Sequence, residues 1–167
     1  MRLRPLTDDD RGLLRDATLA NMNWDGPRFE PEQVDGMPDL AHYYTSFDGA
    51  RDFGTAAVVD DDDDDNDDGE TVLAVAWVVF LPADDPGYGF VADDVPELSI
   101  TTFPGHRGRG LGAAVLDAVV HEARRRALRG ISLSVEDGNR ARHLYERTGF
   151  RTVGRNGGSD TMLLTLA

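Results

Sequence analysis

The chain contains no cysteine and no lysine. The first absence excludes disulfides, thiolate metal sites and a thiol nucleophile. The second removes any loop that grips phosphate with a Gly-Lys-Ser/Thr terminus. No stretch approaches 18 apolar residues, and the N-terminal MRLRPLTDDD has no apolar core of the kind a secretory leader carries. These absences lead to the expectation of a soluble, cytoplasmic protein without a membrane partner. A length of 167 residues favours one domain, 1–167, with a core of its own.

What is present is acid. The formal net charge is -14, Asp outnumbers Glu 24 to 7, and all 17 strongly basic residues are Arg. The acid is spread along the chain, which reads as a halophilic surface kept soluble by hydrated carboxylates in strong salt. No basic face of domain size exists, so nucleic acid is not expected as a partner. The densest run, DDDDDDNDD (60–68), places eight like charges in nine positions and reads as an extended, disordered loop. It lacks the central Gly and closing Glu of an EF-hand, and no metal is expected there or elsewhere.

Periodicity gives a mixed α/β order. RLRPL (2–6) reads as a strand. A helix follows, capped by Thr7, with Leu13, Leu14 and Ala17 on one face. A second helix starts at Pro31, with Pro38 interrupting its middle. Strands at 51–59, 70–81 and 96–103 precede a clear helix at 111–130, whose stripe is Leu111, Val115, Leu116, Val119 and Ala123 and whose stop is Gly130. ISLSVE (131–136), a short helix in 139–150 closed by Gly149, and a final antiparallel pair around NGGS (156–159) complete the chain.

The chemistry is concentrated in PGHRGRGLG (104–112), between a strand and a helix. Glycines there let backbone N–H groups approach an anion, and a helix N-terminus attracts one. Gly108-x-Gly110-x-x-Ala113 also fits a permissive dinucleotide fingerprint, with Glu136 ending the next strand. But Glu136 lies 28 residues from Gly108, and an antiparallel hairpin precedes the loop. The loop Arg107-Gly108-Arg109-Gly110-Leu111-Gly112, after Pro104, resembles motif A of the GNAT family of N-acetyltransferases. Asn139, Ala141, Leu144, Tyr145, Glu146, Gly149 and Phe150 resemble the same family's motif B.

The resemblance implies a central, mostly antiparallel sheet of six to seven strands, splayed between strands 4 and 5 and flanked by about four helices. It implies acetyl-CoA as co-substrate. The pyrophosphate would be held by Arg107, Gly108, Arg109, Gly110, Leu111, Gly112 and Ala113. The pantetheine would lie along a bulged strand 4 against the backbone of Thr101, Thr102 and Phe103, and Asn139 would cap the last helix and touch the cofactor. Tyr145 aligns with the general acid beside the CoA sulfur, and Glu97 with the base that some members carry. Glu136 and His143 are lesser candidates for the base. The implied reaction is direct attack of a primary amine on the thioester. A non-catalytic acyl-CoA-sensing module of the same fold is the alternative. The acceptor, a small molecule or peptide, would enter near the first helices and the final hairpin, where Asn23, Trp24, Tyr43, Tyr44, Trp77 and Tyr88 could line its pocket. A homodimer is possible by the same resemblance.

Overall fold

The computed structural model describes residues 1–61 and 69–166. Its elements are β1 (Arg2–Pro5), α1 (Arg11–Met22), α2 (Pro31–Asp35), α3 (Pro38–Thr45), β2 (Phe53–Asp60), β3 (Glu70–Val79), β4 (Glu97–Thr102), α4 (Leu111–Arg125), β5 (Gly130–Glu136), α5 (Ala141–Thr148), β6 (Arg151–Asn156) and β7 (Ser159–Thr165). Thr7 does start the first helical segment: its hydroxyl accepts from Asp9 N at 3.3 Å, and Asp10 answers from Thr7 N at 2.8 Å. The second helical segment comes as two pieces. Gly36 ends α2, and Pro38 takes the first turn of α3, where its missing N–H costs nothing. The acidic loop expected over 60–68 lies outside the described residues except at its start, where Asp60 ends β2 and Asp61 N bonds Gly69 O at 2.9 Å.

One seven-stranded sheet runs in the order β1-β2-β3-β4-β5-β7-β6. Every pairing is antiparallel except β4 with β5, which is parallel and is registered at a single pair, Glu97 with Ser132. Beyond that pair the two strands diverge, so the expected splay is present. The bulge expected in β4 is not. Its pairing with β3 runs without a shift from Val79–Glu97 to Ala74–Thr102, and the sheet's irregularities fall instead where β3 pairs with β2, at Leu73, and in β6, at Val153.

Helices cover both faces. Leu111, Val115, Leu116, Val119 and Ala123 of α4 pack with Ala76, Val78, Leu98, Ile131 and Leu133 in one core. Leu14, Ala17, Leu40 and Tyr43 pack with Val75, Trp77 and Val79 in the other. Opposed residues of an antiparallel ladder share a face. Glu97, Ser99 and Thr101 therefore lie on the α1–α3 side, opposite Val79, Trp77 and Val75, while Leu98, Ile100 and Thr102 lie on the α4 side.

Gly130 does not stop α4. The helix ends five residues earlier, in a Schellman turn around Ala127, whose φ is 57°. Leu128 N bonds Ala123 O at 3.0 Å, and Ala127 N bonds Arg124 O at 3.0 Å. Gly130 instead opens β5 close to β7, where a Cβ would sit 3.0 Å from Leu164 O.

Candidate functional site

The loop between β4 and α4 is shaped by positive φ angles at Gly105, Gly108 and Gly110 (89°, 78° and 76°), a conformation in which other residues are strained. Ala114 N bonds Gly110 O at 3.1 Å, so regular helix bonding begins there. Among the described residues the amides from Arg107 to Ala113 donate to no protein acceptor. They form a cluster of free N–H groups at the positive end of a 15-residue helix, which suits a phosphate. Gly112 has a different role. It lets α4 approach β4 closely, since a Cβ would stand 3.3 Å from Thr102 Oγ1.

The loop arginines are also free. Among the described residues eleven of the seventeen arginines, Arg15, Arg129 and Arg155 included, pair with carboxylates. Among the described residues Arg107 and Arg109 do not, and Arg107 only reaches the Thr102 carbonyl, at 3.4 Å.

Beneath the loop lies the gap between β4 and β5. Phe103 N bonds Leu73 O at 3.0 Å, so by the alternation of an antiparallel ladder the backbone groups of Thr101 and Phe103 are turned towards β3. Those of Ile100 and Thr102 face the gap. Of the three residues expected to pair with a cofactor arm, Thr102 turns its backbone groups to the gap and Thr101 and Phe103 do not; Ile100, which was not expected, faces the gap as well.

Tyr145 projects from α5 into the core on the α4 side and is 8 % exposed. Gly149, at φ 114°, closes α5 in a second Schellman turn, with Phe150 N on Tyr145 O at 3.0 Å and Gly149 N on Glu146 O at 3.1 Å. The apolar contact that accompanies such a turn is here Tyr145 against Phe150, with ring centroids 5.9 Å apart. Helix end and phenol orientation are thus one feature. Among the described residues the hydroxyl makes no hydrogen bond, and burial raises its pKa above the usual phenol value, which keeps it protonated.

Glu97 marks the vertex of the splay and is 2 % exposed. Its Oε1 accepts from Tyr43 Oη at 3.1 Å and from Gly89 N at 2.8 Å. Among the described residues its Oε2 makes no hydrogen bond of ordinary geometry, with the Gly87 backbone beside it. Tyr43 Oη in turn accepts from Tyr88 N at 2.8 Å. The β3–β4 loop is wedged in place: a Cβ at Gly87 would overlap Glu97 Oε2 at 2.0 Å, and one at Gly89 would lie 2.5 Å from the Leu133 carbonyl carbon. Burial pushes the Glu97 carboxyl above the ordinary range, opposed by the bonds from Gly89 and Tyr43 and by the nearby His42.

The sequence matches the profile of the acetyltransferase (GNAT) family over residues 18–150. The chain belongs to that family. Solved structures of GNAT proteins share its fold over nearly its whole length. An acetyltransferase of the GNAT family from Staphylococcus aureus Mu50 is 14 % identical, covers 99 % of this chain and 100 % of its own, and superposes with a TM-score of 0.68. The PaiA N-acetyltransferase of Thermoplasma acidophilum, solved with coenzyme A, is 13 % identical over 99 % of both chains, with a TM-score of 0.61. YncA of Salmonella typhimurium, solved with its cofactor acetyl-CoA, is 22 % identical over 100 % of this chain and 94 % of its own, with a TM-score of 0.60. A comparison with curated protein sequences returns no match.

The remaining candidates separate on this GNAT scaffold. Asn139 Oδ1 accepts from Ala141 N at 3.0 Å and so sets the start of α5. His143 is exposed on α5. Glu136 is bound by Arg28 at 2.8 and 3.2 Å, and that guanidinium holds its carboxyl below the ordinary range, which makes it a poor base. Trp77 and Tyr44 belong to the core: Trp77 Nε1 bonds Tyr43 O at 2.9 Å, and Tyr44 Oη bonds Asp35 at 2.5 Å. Asn23 ties its own turn, bonding Phe29 O at 3.0 Å. Tyr88 is placed at an opening. Tyr88 lines a groove of about 520 Å³ with Phe90, Val91, Val153 and Thr161, between the β3–β4 loop and the β6–β7 hairpin. The edge of the Trp24 indole comes within 3.9 Å of where a Gly138 Cβ would stand, beside β5. The sequence reading missed His42, Asp85, Gly87 and Gly89. The one signal for them was the closely spaced glycine pair of PGYG.

Proposed function

We propose that the protein transfers an acetyl group from acetyl-CoA to a primary amine. The observations that support the reading are a parallel pair opened beyond a single register point, free amides in the loop that follows β4, and a buried, protonated phenol on α5. The amides of Arg107 to Ala113 hold the pyrophosphate, with Arg107 and Arg109 adding charge. The pantetheine lies in the gap and pairs with the backbone of Ile100 and Thr102. A backbone N–H there stabilises the oxyanion as the amine attacks the thioester carbonyl.

In this reaction a C–N bond forms and a C–S bond breaks. The Tyr145 hydroxyl donates first a hydrogen bond and then its proton to the departing thiolate, and the second proton, lost by the attacking nitrogen as the amide forms, restores the phenol. Glu97 takes the proton that the acceptor ammonium must lose before attack, and the burial that raises its affinity for protons suits it to that task. The amine reaches the vertex from the α1–α3 side, past the groove beside Tyr88. The protein works in the cytoplasm, and its acidic, lysine-free surface suits molar salt.

The test is thiol release from acetyl-CoA in molar KCl, across a panel that includes spermidine, an alanine-initiated peptide and free amino acids. Tyr145→Phe is expected to lower kcat by on the order of a hundredfold while retaining acetyl-CoA binding. Unchanged turnover in that variant would remove Tyr145 from the mechanism. A protein that binds acetyl-CoA but acetylates none of these amines would favour the sensing module of the same fold.

A further inference from the structure

The core beneath α1–α3 draws no residue from β5, β6 or β7 among the described residues. On that face, no apolar side chain of those helices packs against this half of the sheet, and the β3–β4 loop reaches across it instead. Ser132 is opposite Glu97 and Ser134 lies two residues on, so both point to this face, and Thr161, paired with Ser134, joins them. Thr161 lines the groove of about 520 Å³ between loop and hairpin, a volume that suits a small molecule. Four large apolar side chains among the described residues are well exposed. Met1 and Leu3 belong to the N-terminal edge. The other two, Tyr88 and Val153, both line the groove, with the part-exposed Phe90 and Val91. Clustered exposed apolar side chains mark a binding surface.

The charge around the groove narrows what binds there. Acids make up 31 of the 167 residues, yet among the described residues none lines it. The four acids of the β3–β4 loop turn elsewhere: Asp85 to His42, Asp93 to Ala83 N, Asp94 to Arg129, and Asp84 to a separate hollow beside Arg51. The charged lining residue is Arg155, held by Asp137 and Asp160 at 2.5–3.0 Å. Asp39 accepts from the Tyr88 hydroxyl. Gly87 also lines the groove, and its backbone lies against the Glu97 carboxylate. One end of the groove therefore abuts a buried acid, and apolar side chains make up its walls.

We propose that this groove selects as acceptor a primary monoamine with an apolar body and rejects polyamines. The inference rests on the acetyl-transfer reading above and names its substrate class. The single ammonium is drawn to Glu97, and the apolar body lies along Tyr88, Phe90, Val91 and Val153. A second ammonium on that body would lose water among these side chains, meet no carboxylate and face Arg155. The net charge of -14 draws every cation towards the protein, so the choice between them falls to the groove.

Initial rates of thiol release with propylamine, pentylamine and cadaverine test this. Pentylamine and cadaverine share one carbon chain and differ by a terminal ammonium. Between propylamine and pentylamine kcat/KM should rise about twofold per methylene, against roughly fourfold for complete burial. It should be at least about tenfold higher for pentylamine than for cadaverine. Val153 is 54 % exposed on the outermost strand, so Val153→Asp leaves the core intact. That variant should lower kcat/KM for pentylamine about threefold and raise it for cadaverine, with KM for acetyl-CoA within about twofold. Cadaverine or spermidine used as well as pentylamine, no gain with chain length, or a Val153→Asp variant whose pentylamine-to-cadaverine ratio stays within about twofold of the parent's would overturn the proposal. So would a protein that acetylates another panel amine but not pentylamine. In each of these cases acetyl transfer itself stands. If no amine is acetylated, the reading beneath falls as well.

Discussion

Tyr43→Phe removes one oxygen and disconnects three segments. In the native protein that hydroxyl donates to Glu97 Oε1 at 3.1 Å and accepts from Tyr88 N at 2.8 Å, all within the buried vertex. Phenylalanine keeps the ring's packing, so no cavity term enters. The bond to a carboxylate is worth about 1.5–3 kcal/mol and the neutral one about 0.5–1.5 kcal/mol, giving a loss of about 2–4.5 kcal/mol. For a domain of this size each kcal/mol lowers the melting midpoint by about 2–4 °C, so a fall of roughly 4–18 °C is expected. Urea unfolding and a thermal scan measure both quantities. Repeating them in a Glu97→Gln background should show coupling, because glutamine still accepts from Tyr43 and Gly89 but carries no charge. A Tyr43→Phe variant within 0.5 kcal/mol of the parent, with no coupling, would refute the claim that this hydroxyl holds the β3–β4 loop against Glu97.

Three further outcomes follow from other parts of the structure. Burial raises the Glu97 pKa in the folded chain above its unfolded value, so the stability it contributes is fully present below the unfolded value of about 4.5 and is lost as pH rises through the folded one. Glu97→Gln should therefore gain on the parent as pH climbs from 4 to 8, and urea midpoints that run parallel in the two proteins would contradict this. Gly110 sits at φ 76° with open space around it, so Gly110→Ala should cost about 1–2 kcal/mol of stability through the backbone alone and weaken acetyl-CoA binding, both readable by calorimetry. A formal charge of -14 repels itself, so the melting midpoint should climb steadily as KCl is raised into the molar range; a flat profile would remove the halophilic reading of the surface.

Those parts of the site governed by local rules were legible in the sequence. The β4–α4 loop was readable because positive φ selects glycine wherever it occurs. The end of α5 was readable because a C-terminal glycine and the aromatic after it form one short motif. The end of α4 was not, because there the left-handed position is filled by Ala127, which carries no compositional signal, and Gly130 drew the boundary too late. The parity of β4 was also hidden. Whether the backbone of Thr101 or Thr102 faces the gap depends on which residue β3 engages, and that register is a tertiary fact. Most of all, nothing local says that residues 87–89 fold back over Glu97 and β5. Glu97, which the sequence places only at the start of a strand, is therefore the most enclosed acid at the vertex, and its partners Tyr43 and Gly89 lie 54 and 8 residues away in sequence.

The most direct measurement is a calorimetric titration of the protein with acetyl-CoA in molar KCl, with Gly110→Ala run beside it. One saturable site per chain in the micromolar range, weakened about tenfold or more by the glycine substitution, is the predicted result. No binding at millimolar acetyl-CoA by a folded protein would contradict the account at its centre.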